Sequence, residues 1–336
     1  MKFVAQEGMA TNMKIEKTIL LLLICALLLG AAPAQAGTLS TSVISLFPRD
    51  LGEFAYADLK GARKFKWFAQ LKGQMLPGRF RQFEQFLASA GVDPDVQVEE
   101  LAWGATVPTA EAGDMLVGVA LGQFAPENTA VFFKNQKLTS QEYRGFTLFA
   151  FGSGTGATDL FFFYLDANTA AFGHRPVLEK LIGVRFGAEE SLLRNDKLFP
   201  LINEANGKGL VWAVLDESYT KLAVRQLAPE ISQFPDAPKL INKMKAMILE
   251  VQADRGLETK FQFVCQSPDD ANLFAALVDA GLLYKRLAEK QSNPTLSKSL
   301  EDARVAAKGD RLEIKLALTE EVLADLLQRN TFTVKL

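Results

Sequence analysis

The sequence predicts an α+β protein, with mainly antiparallel sheets carrying packed helices, arranged as two similar halves. Three observations predict it. Strand-like runs that alternate apolar and polar residues, or are wholly apolar, recur along the chain. Amphipathic stretches with apolar residues three and four apart lie between them. The order of strands and helices then repeats, which is the pattern of a duplicated unit.

The chain has 336 residues. It opens with a segment that does not belong to the fold. From Met13, Lys14 and Lys17 make a short basic region, Ile19 to Leu29 is unbroken apolar sequence, and Ala34-Gln35-Ala36 places small residues where a signal peptidase reads. This is the pattern of a secretory leader, and the run is short for a bilayer span. Met1 to Asn12 read as an extension ahead of the better start at Met13. Cys25 lies inside the apolar run after Ile24, so it reads as leader and not as a lipid anchor. Residues 1–36 are therefore the extension and signal peptide, 37–205 the first half and 206–336 the second. The expectation is an exported protein, periplasmic or extracellular; an uncleaved leader would tether it to the membrane.

In the first half, "EFAYADL" (Glu53 to Leu59) alternates as a strand. "KWFAQLKGQML" and "RFRQFEQFLASAG" follow as helices, the second closed by Gly91 at a C-cap. Strands follow at Glu100–Val107 and Asp114–Leu121. Then come a helix after Pro126, the strands "GFTLFAFG" and "DLFFFYLD", and a return strand through Phe172 into a helix ending near Ile182. In the second half the strands are Leu210–Asp216, Met247–Asp254 and Leu257–Cys265. Ser267 caps a long helix with Pro268 at its first position. The pair "RVAAKG" and "RLEIKLAL" leads to a last helix capped by Thr319, with acids in its first turn and Arg329 in its last. "DLFFFYLDANTAAFGHRPVLEKLI" and "DARVAAKGDRLEIKLALTEEVLADLL" occupy the same slot in the two halves.

The stretches "SLFPRDLGEFAYADLKG", "AGVDPDVQVEELAWG", "SLLRNDKLFPLINEANGKGLVWAVLD" and "LEDARVAAKGDRLEIKLALTEEVLADLL" carry a resemblance. Together they resemble exported bacterial α+β proteins of unknown function, in which a strand follows an L-P-x-D-like opening; in this chain the opening reads Phe47-Pro48-Arg49-Asp50. The resemblance implies export and no recognised activity, and it supplies no catalytic residue.

Composition excludes several functions. The formal net charge is −2, which argues against a nucleic-acid partner. One histidine, His174, and one cysteine beyond the leader, Cys265, leave no usual zinc site and no internal disulfide. Cys265 in "KFQFVCQ" reads as a small buried residue. Asp93, Asp95, Glu99 and Glu100 are concentrated but lack the calcium-loop spacing, so they read as a solvated loop. "FGSGTGATD" lacks the P-loop ending and sits between two strands, so it reads as a hairpin loop. No nucleophile elbow exists. Ser218 reads as a helix cap. His174 reads as the corner before a helix begun by Pro176, the slot that Thr319 fills in the second half. The sequence thus names no catalytic residue, no metal ligand and no cofactor.

One segment is unusual. Lys60 to Gly91 holds seven basic residues and one acid, Glu84. Phe65, Trp67, Phe68, Phe80, Phe83 and Phe86 are interleaved. Lys64, Lys66, Trp67, Arg79 and Arg81 are the candidate interaction surface, with an anionic membrane face or an envelope polymer as partner. The other reading puts the aromatics in the core beneath a solvated basic face. "LFFFYL" (Leu160 to Leu165) is either a strand buried on both sides or the wall of an apolar cavity. The preferred function is a non-catalytic binding or interaction module of the bacterial envelope. The alternatives are a carrier of an apolar or lipid-like ligand and a hydrolase with an unrecognised site.

Overall fold

The computed structural model describes residues 37–332, apart from 77, 90, 107–114, 157–158, 228–238, 240 and 254–255. The leader read at the N-terminus lies outside the described residues, as do the ends of three expected strands at Val107, Asp114 and Asp254.

The class is α+β, built on one antiparallel sheet of twelve strands. In chain order the strands are β1 Leu51–Asp58, β2 Val98–Thr106, β3 Leu116–Gly122, β4 Ser140–Tyr143, β5 Phe146–Phe151, β6 Leu160–Asp166, β7 Thr169–His174, β8 Val211–Leu215, β9 Met244–Ala253, β10 Gly256–Cys265, β11 Arg304–Lys308 and β12 Arg311–Thr319. Their order in the sheet is β11-β12-β10-β9-β8-β1-β2-β3-β7-β6-β5-β4. The two stretches of chain meet where β1 pairs with β8, Ala55 lying opposite Ala213. Outward from that junction one side runs β1, β2, β3, β7, β6 and the other β8, β9, β10, β12, β11. The hairpin partner β4–β5 extends the first side only.

The helices are α1 Thr41–Ile44, α2 Leu59–Ala62, α3 Phe68–Met75, α4 Gly78–Ser89, α5 Pro94–Gln97, α6 Pro126–Asn135, α7 Arg175–Arg185, α8 Phe199–Ala205, α9 Glu217–Leu227, α10 Pro268–Ser292, α11 Pro294–Ser299 and α12 Glu320–Gln328. The expected caps hold. Ser267 Oγ accepts from the Asp270 N–H at 3.2 Å, and Thr319 Oγ1 accepts from the Val322 N–H at 3.3 Å. Gly91 has φ +75°, and the Val92 N–H closes back on Leu87 O at 2.9 Å. At α9 the cap is Asp216 rather than Ser218: the carboxylate accepts from the Tyr219 N–H at 3.0 Å, and Ser218 falls inside the first turn.

Period-two alternation sends each strand's side chains to opposite faces. On one face Ala55, Ala57, Trp103, Ala213, Leu249 and Phe263 pack under α2, α3, α9, α10 and α12. Farther along that face, Phe149 and Phe162 meet Phe83 of α4 and Phe133 of α6, with ring centroids 5.1 Å apart for both Phe133–Phe149 and Phe133–Phe162. On the opposite face Phe54, Tyr56, Val119, Phe161, Phe163 and Trp212 pack under α1, α7 and α8. β6 is thus buried on both sides, and its Phe162 and Phe163 pack against other rings of the core. β1 is buried on both sides as well, including Glu53. The central strands are covered twice because the long-range β1–β8 pairing places them in the middle of the sheet.

At the β9–β11 end the second face is polar among the described residues, with α8 reaching only its near edge. Glu250 lies between Lys260 (3.4 Å) and Lys208 (3.7 Å), and Arg311 forks onto Glu204 at 3.0 and 3.1 Å. Lys315 and Glu258 pair across strands at 3.7 Å. Cross-strand neutralisation of this kind suits the wet face of an antiparallel sheet.

Candidate interaction surface

The basic segment folds as α2, a turn, α3 and α4 against the first face of the sheet. Its aromatics are anchors. Phe65, Phe68 and Phe83 are buried, and Phe80 and Phe86 pack beside them. Trp67 is half-buried and stacked on Phe65, with centroids 5.7 Å apart and planes 11° from parallel. Each helix presents one apolar stripe inward, so its charged residues are held outward.

Those charges divide into two groups. Lys60 pairs with Glu99 at 2.9 Å. Arg63 donates to the backbone carbonyls of Pro94, at 3.3 Å, and Val98. Lys72 sits between Glu84, at 2.7 Å, and Asp95, and so ties α3 to α4 and α5. Burial alone would favour neutral Lys72, but the two carboxylates outweigh it and hold the ammonium above its ordinary range. Lys64, Lys66 and Arg81 form the second group. All three are exposed, and none forms an ion pair with a described residue; Arg81 donates only to Gly73 O at 3.2 Å. Arg79 stands in the first turn of α4, and its side chain lies outside the description.

The acidic stretch after α4 proves to be structural. Asp93 accepts from the Asp95 N–H at 3.0 Å, Asp95 and Glu99 pair with Lys72 and Lys60, and Glu100 accepts from the Tyr56 hydroxyl at 3.1 Å. Burial, followed by the Glu100 and Asp58 charges, pushes the Tyr56 phenol far up. Burial likewise raises Glu100, against the Tyr56 bond.

The glycine loop between β5 and β6 gathers backbone N–H groups as an anion site would, but the protein fills it. The Asp159 carboxylate accepts from the N–H of Gly154 (2.7 Å) and Gly156 (2.9 Å), and from Ser153 Oγ (2.8 Å). His174 is the N-cap residue of α7, and its Nδ1 accepts the Leu116 N–H at 2.9 Å. That bond joins β7 to the start of β3 and fixes the proton on Nε2 in the neutral ring. Cys265 is buried, and burial pushes its thiol up to about 11, the reverse of what a nucleophile needs. Among the described residues no group of three or more His, Cys, Asp and Glu could hold a metal ion, and no helix is long and apolar enough to cross a membrane.

One surface was missed in the sequence. Eight large hydrophobic residues are strongly exposed among those described, and five of them lie on α10: Leu273, Leu277, Leu283, Tyr284 and Leu287. The overlooked signal was a second apolar repeat, at Leu273, Leu277, Ala280, Tyr284 and Leu287, spaced four and three.

No protein-family model matches the sequence, and no curated protein matches it. Among solved structures the chain is similar to crystal form I of TP0453, over 90% of this chain and 100% of that one, at 10% identity and a TM-score of 0.47.

Proposed function

We propose that the protein is an exported, non-catalytic interaction module of the bacterial envelope, and that it docks on an anionic membrane surface through the basic shoulder formed by α2 to α4. The observation that supports this reading is the division of charge on the shoulder. Lys60, Arg63 and Lys72 are engaged with neighbouring acids or carbonyls, whereas Lys64, Lys66 and Arg81 are exposed without an ion pair to any described residue. A rigid apolar underside of phenylalanines holds these cations in place, so binding need not order the backbone beneath them. Each basic residue near an anionic leaflet contributes about 1 kcal/mol. Arg79, next on the same helix, belongs to the set by position.

The net charge of −2 does not oppose this reading at moderate salt. The Debye length is about 10 Å at 0.1 M, so a bilayer touching the shoulder interacts mainly with the shoulder. The test is co-sedimentation of the purified protein with vesicles of phosphatidylcholine alone, or with one quarter phosphatidylglycerol, in 0.1 M salt. Binding to the anionic vesicles only, and its loss in 0.5 M salt, is the expected result. Equal binding to both vesicles, or none to either, rejects the reading.

A further inference from the structure

We propose that the outer face of α10 is a self-association surface, on which a second copy of this chain packs antiparallel about a two-fold axis through Ala280. Helix α10 has 25 residues and is about 37 Å long. Ala271, Phe274, Ala275 and Val278 fix one side of it to the sheet. At about 100° per residue, Leu273, Leu277, Ala280, Leu283, Tyr284 and Leu287 all fall within about 60° of Ala280, on the side opposite those anchors. The five large ones are 44% to 74% exposed. A helix apolar on both sides is a buried helix, and among the described residues only one of the two apolar sides is covered.

The stripe is self-complementary in antiparallel register. With Ala280 on the axis, each residue lies at the level of the one equally far on the other side of position 280. Leu273 then meets Leu287, Leu277 meets Leu283, and Tyr284 meets Ala276. Leucines pair with leucines, the one aromatic lies level with a small residue, and alanine lies at the crossing, where the two backbones come closest. A surface that matches itself under a two-fold operation is what an isologous dimer requires.

Charge selects the same arrangement. Exposed Asp269 stands in the first turn of α10 and Lys290 in the last, whereas Asp270 is buried against Lys243. Antiparallel pairing brings each acidic end to the partner's basic end and opposes the two helix dipoles. Parallel pairing would bring like ends together. A bilayer would accept the apolar stripe too, but it imposes no register on it, and the pairing about Ala280 is a feature of register.

The test uses the full chain with Cys25 replaced by Ala; Cys265 is buried. Light scattering across a concentration series should show a dimer. Ala280→Cys should form an intermolecular disulfide under mild oxidation. Leu273→Cys and Leu287→Cys should each cross-link poorly alone and readily when mixed. Leu277→Glu with Leu283→Glu should weaken the dimer at least about a hundred-fold, and circular dichroism shows whether that variant is still folded. A monomer at every concentration, or efficient Leu273→Cys self-cross-linking with none at Ala280→Cys, overturns the proposal. So does a stripe that gains protection from labelling only when vesicles are added. None of these outcomes depends on Lys64, Lys66 or Arg81. Vesicle binding by a strictly monomeric chain would reject the dimer and leave the basic shoulder standing.

Discussion

Neutralising the shoulder separates local docking from a general charge effect. Consider Lys64→Gln, Lys66→Gln and Arg81→Gln together. All three side chains are exposed and outside any described ion pair, so their removal strands no charge; the exposed Gly73 carbonyl that Arg81 leaves turns to water, and the protein should stay folded. At about 1 kcal/mol for each basic residue near an anionic leaflet, the triple variant loses about 3 kcal/mol. That is about a 150-fold fall in vesicle partitioning at 0.1 M salt. A matched variant, Lys245→Gln, Lys298→Gln and Arg304→Gln, makes the same change in net charge. Its three residues are equally exposed but lie on β9, α11 and β11, in the other half of the sheet. With a Debye length of about 10 Å, it should change partitioning by no more than about three-fold. The assay is vesicle co-sedimentation with one quarter phosphatidylglycerol, repeated over a salt series. Equal losses in the two variants would refute the reasoning, because the net charge of the chain, not the shoulder, would then be driving attraction.

Four further outcomes follow from the fold. Cys265, with its thiol pushed up to about 11 by burial, should resist a thiol reagent at pH 8 in the native Cys25→Ala protein and react fully in urea; rapid native labelling would contradict its place in the core. Gly173 has φ +148°, and a side chain there would meet Val117 Cα at 2.8 Å, so Gly173→Ala should lower stability by about 2–4 kcal/mol in urea denaturation. His174→Ala, which removes the acceptor of the Leu116 N–H, should cost about 1 kcal/mol or more; no measurable loss would show that this bond between β7 and β3 contributes nothing. Bonds from Lys243 and then Ser267 hold the Asp270 carboxyl below its ordinary range. Its stabilisation is therefore complete above the unfolded carboxylate value of about 4 and fades as pH falls through the lower folded value. The urea midpoint should fall between about pH 5 and pH 3, and Lys243→Met should flatten that fall.

Much of the fold was legible because local patterns wrote it. Alternation marked β2, β5, β9, β10 and β12, and Ser267-Pro268 and Thr319 marked the starts of α10 and α12. The misses have a common physical origin in contacts made between distant residues. β4 is Ser-Gln-Glu-Tyr, with no apolar alternation, and is a strand because β5 offers it an edge. "EFAYADL" alternates like a strand with one wet face, yet Glu53 is buried, because β8 pairs with β1 from about 160 positions away and helices cover both sides. That same pairing makes one sheet of what local pattern presented as two halves. Of the candidate site, the sequence showed which residues are basic. It could not show that Lys60, Lys72 and Arg63 are committed to Glu99, Glu84 and a pair of carbonyls, since those partners are set by the packing of α2 to α5 on β2.

The protein's charged surfaces differ in a way that bears on which of them can bind. On the open face of β9, β10 and β12, acids and bases alternate across strands, and Glu250, Glu204, Glu258 and Glu313 each face a lysine or arginine. Such a face has little field beyond its own ion pairs and gains little from an anionic partner. The acids beside the shoulder are spent similarly, on capping α5 and on Lys60 and Lys72. Lys64, Lys66 and Arg81 are cations on the helical side of the sheet that form no ion pair with a described residue, and that side also carries the exposed apolar stripe of α10. Uncompensated charge and uncovered apolar area are the two surface features whose free energy falls when a partner arrives. A dimer that closes α10 would also double the number of shoulders on one particle. The second shoulder then engages at the high effective concentration set by the first, provided the two-fold axis leaves both facing the same bilayer. Disrupting α10 with Leu277→Glu and Leu283→Glu should in that case weaken vesicle binding while every shoulder cation remains, and neutralising the shoulder should abolish vesicle binding while the dimer persists.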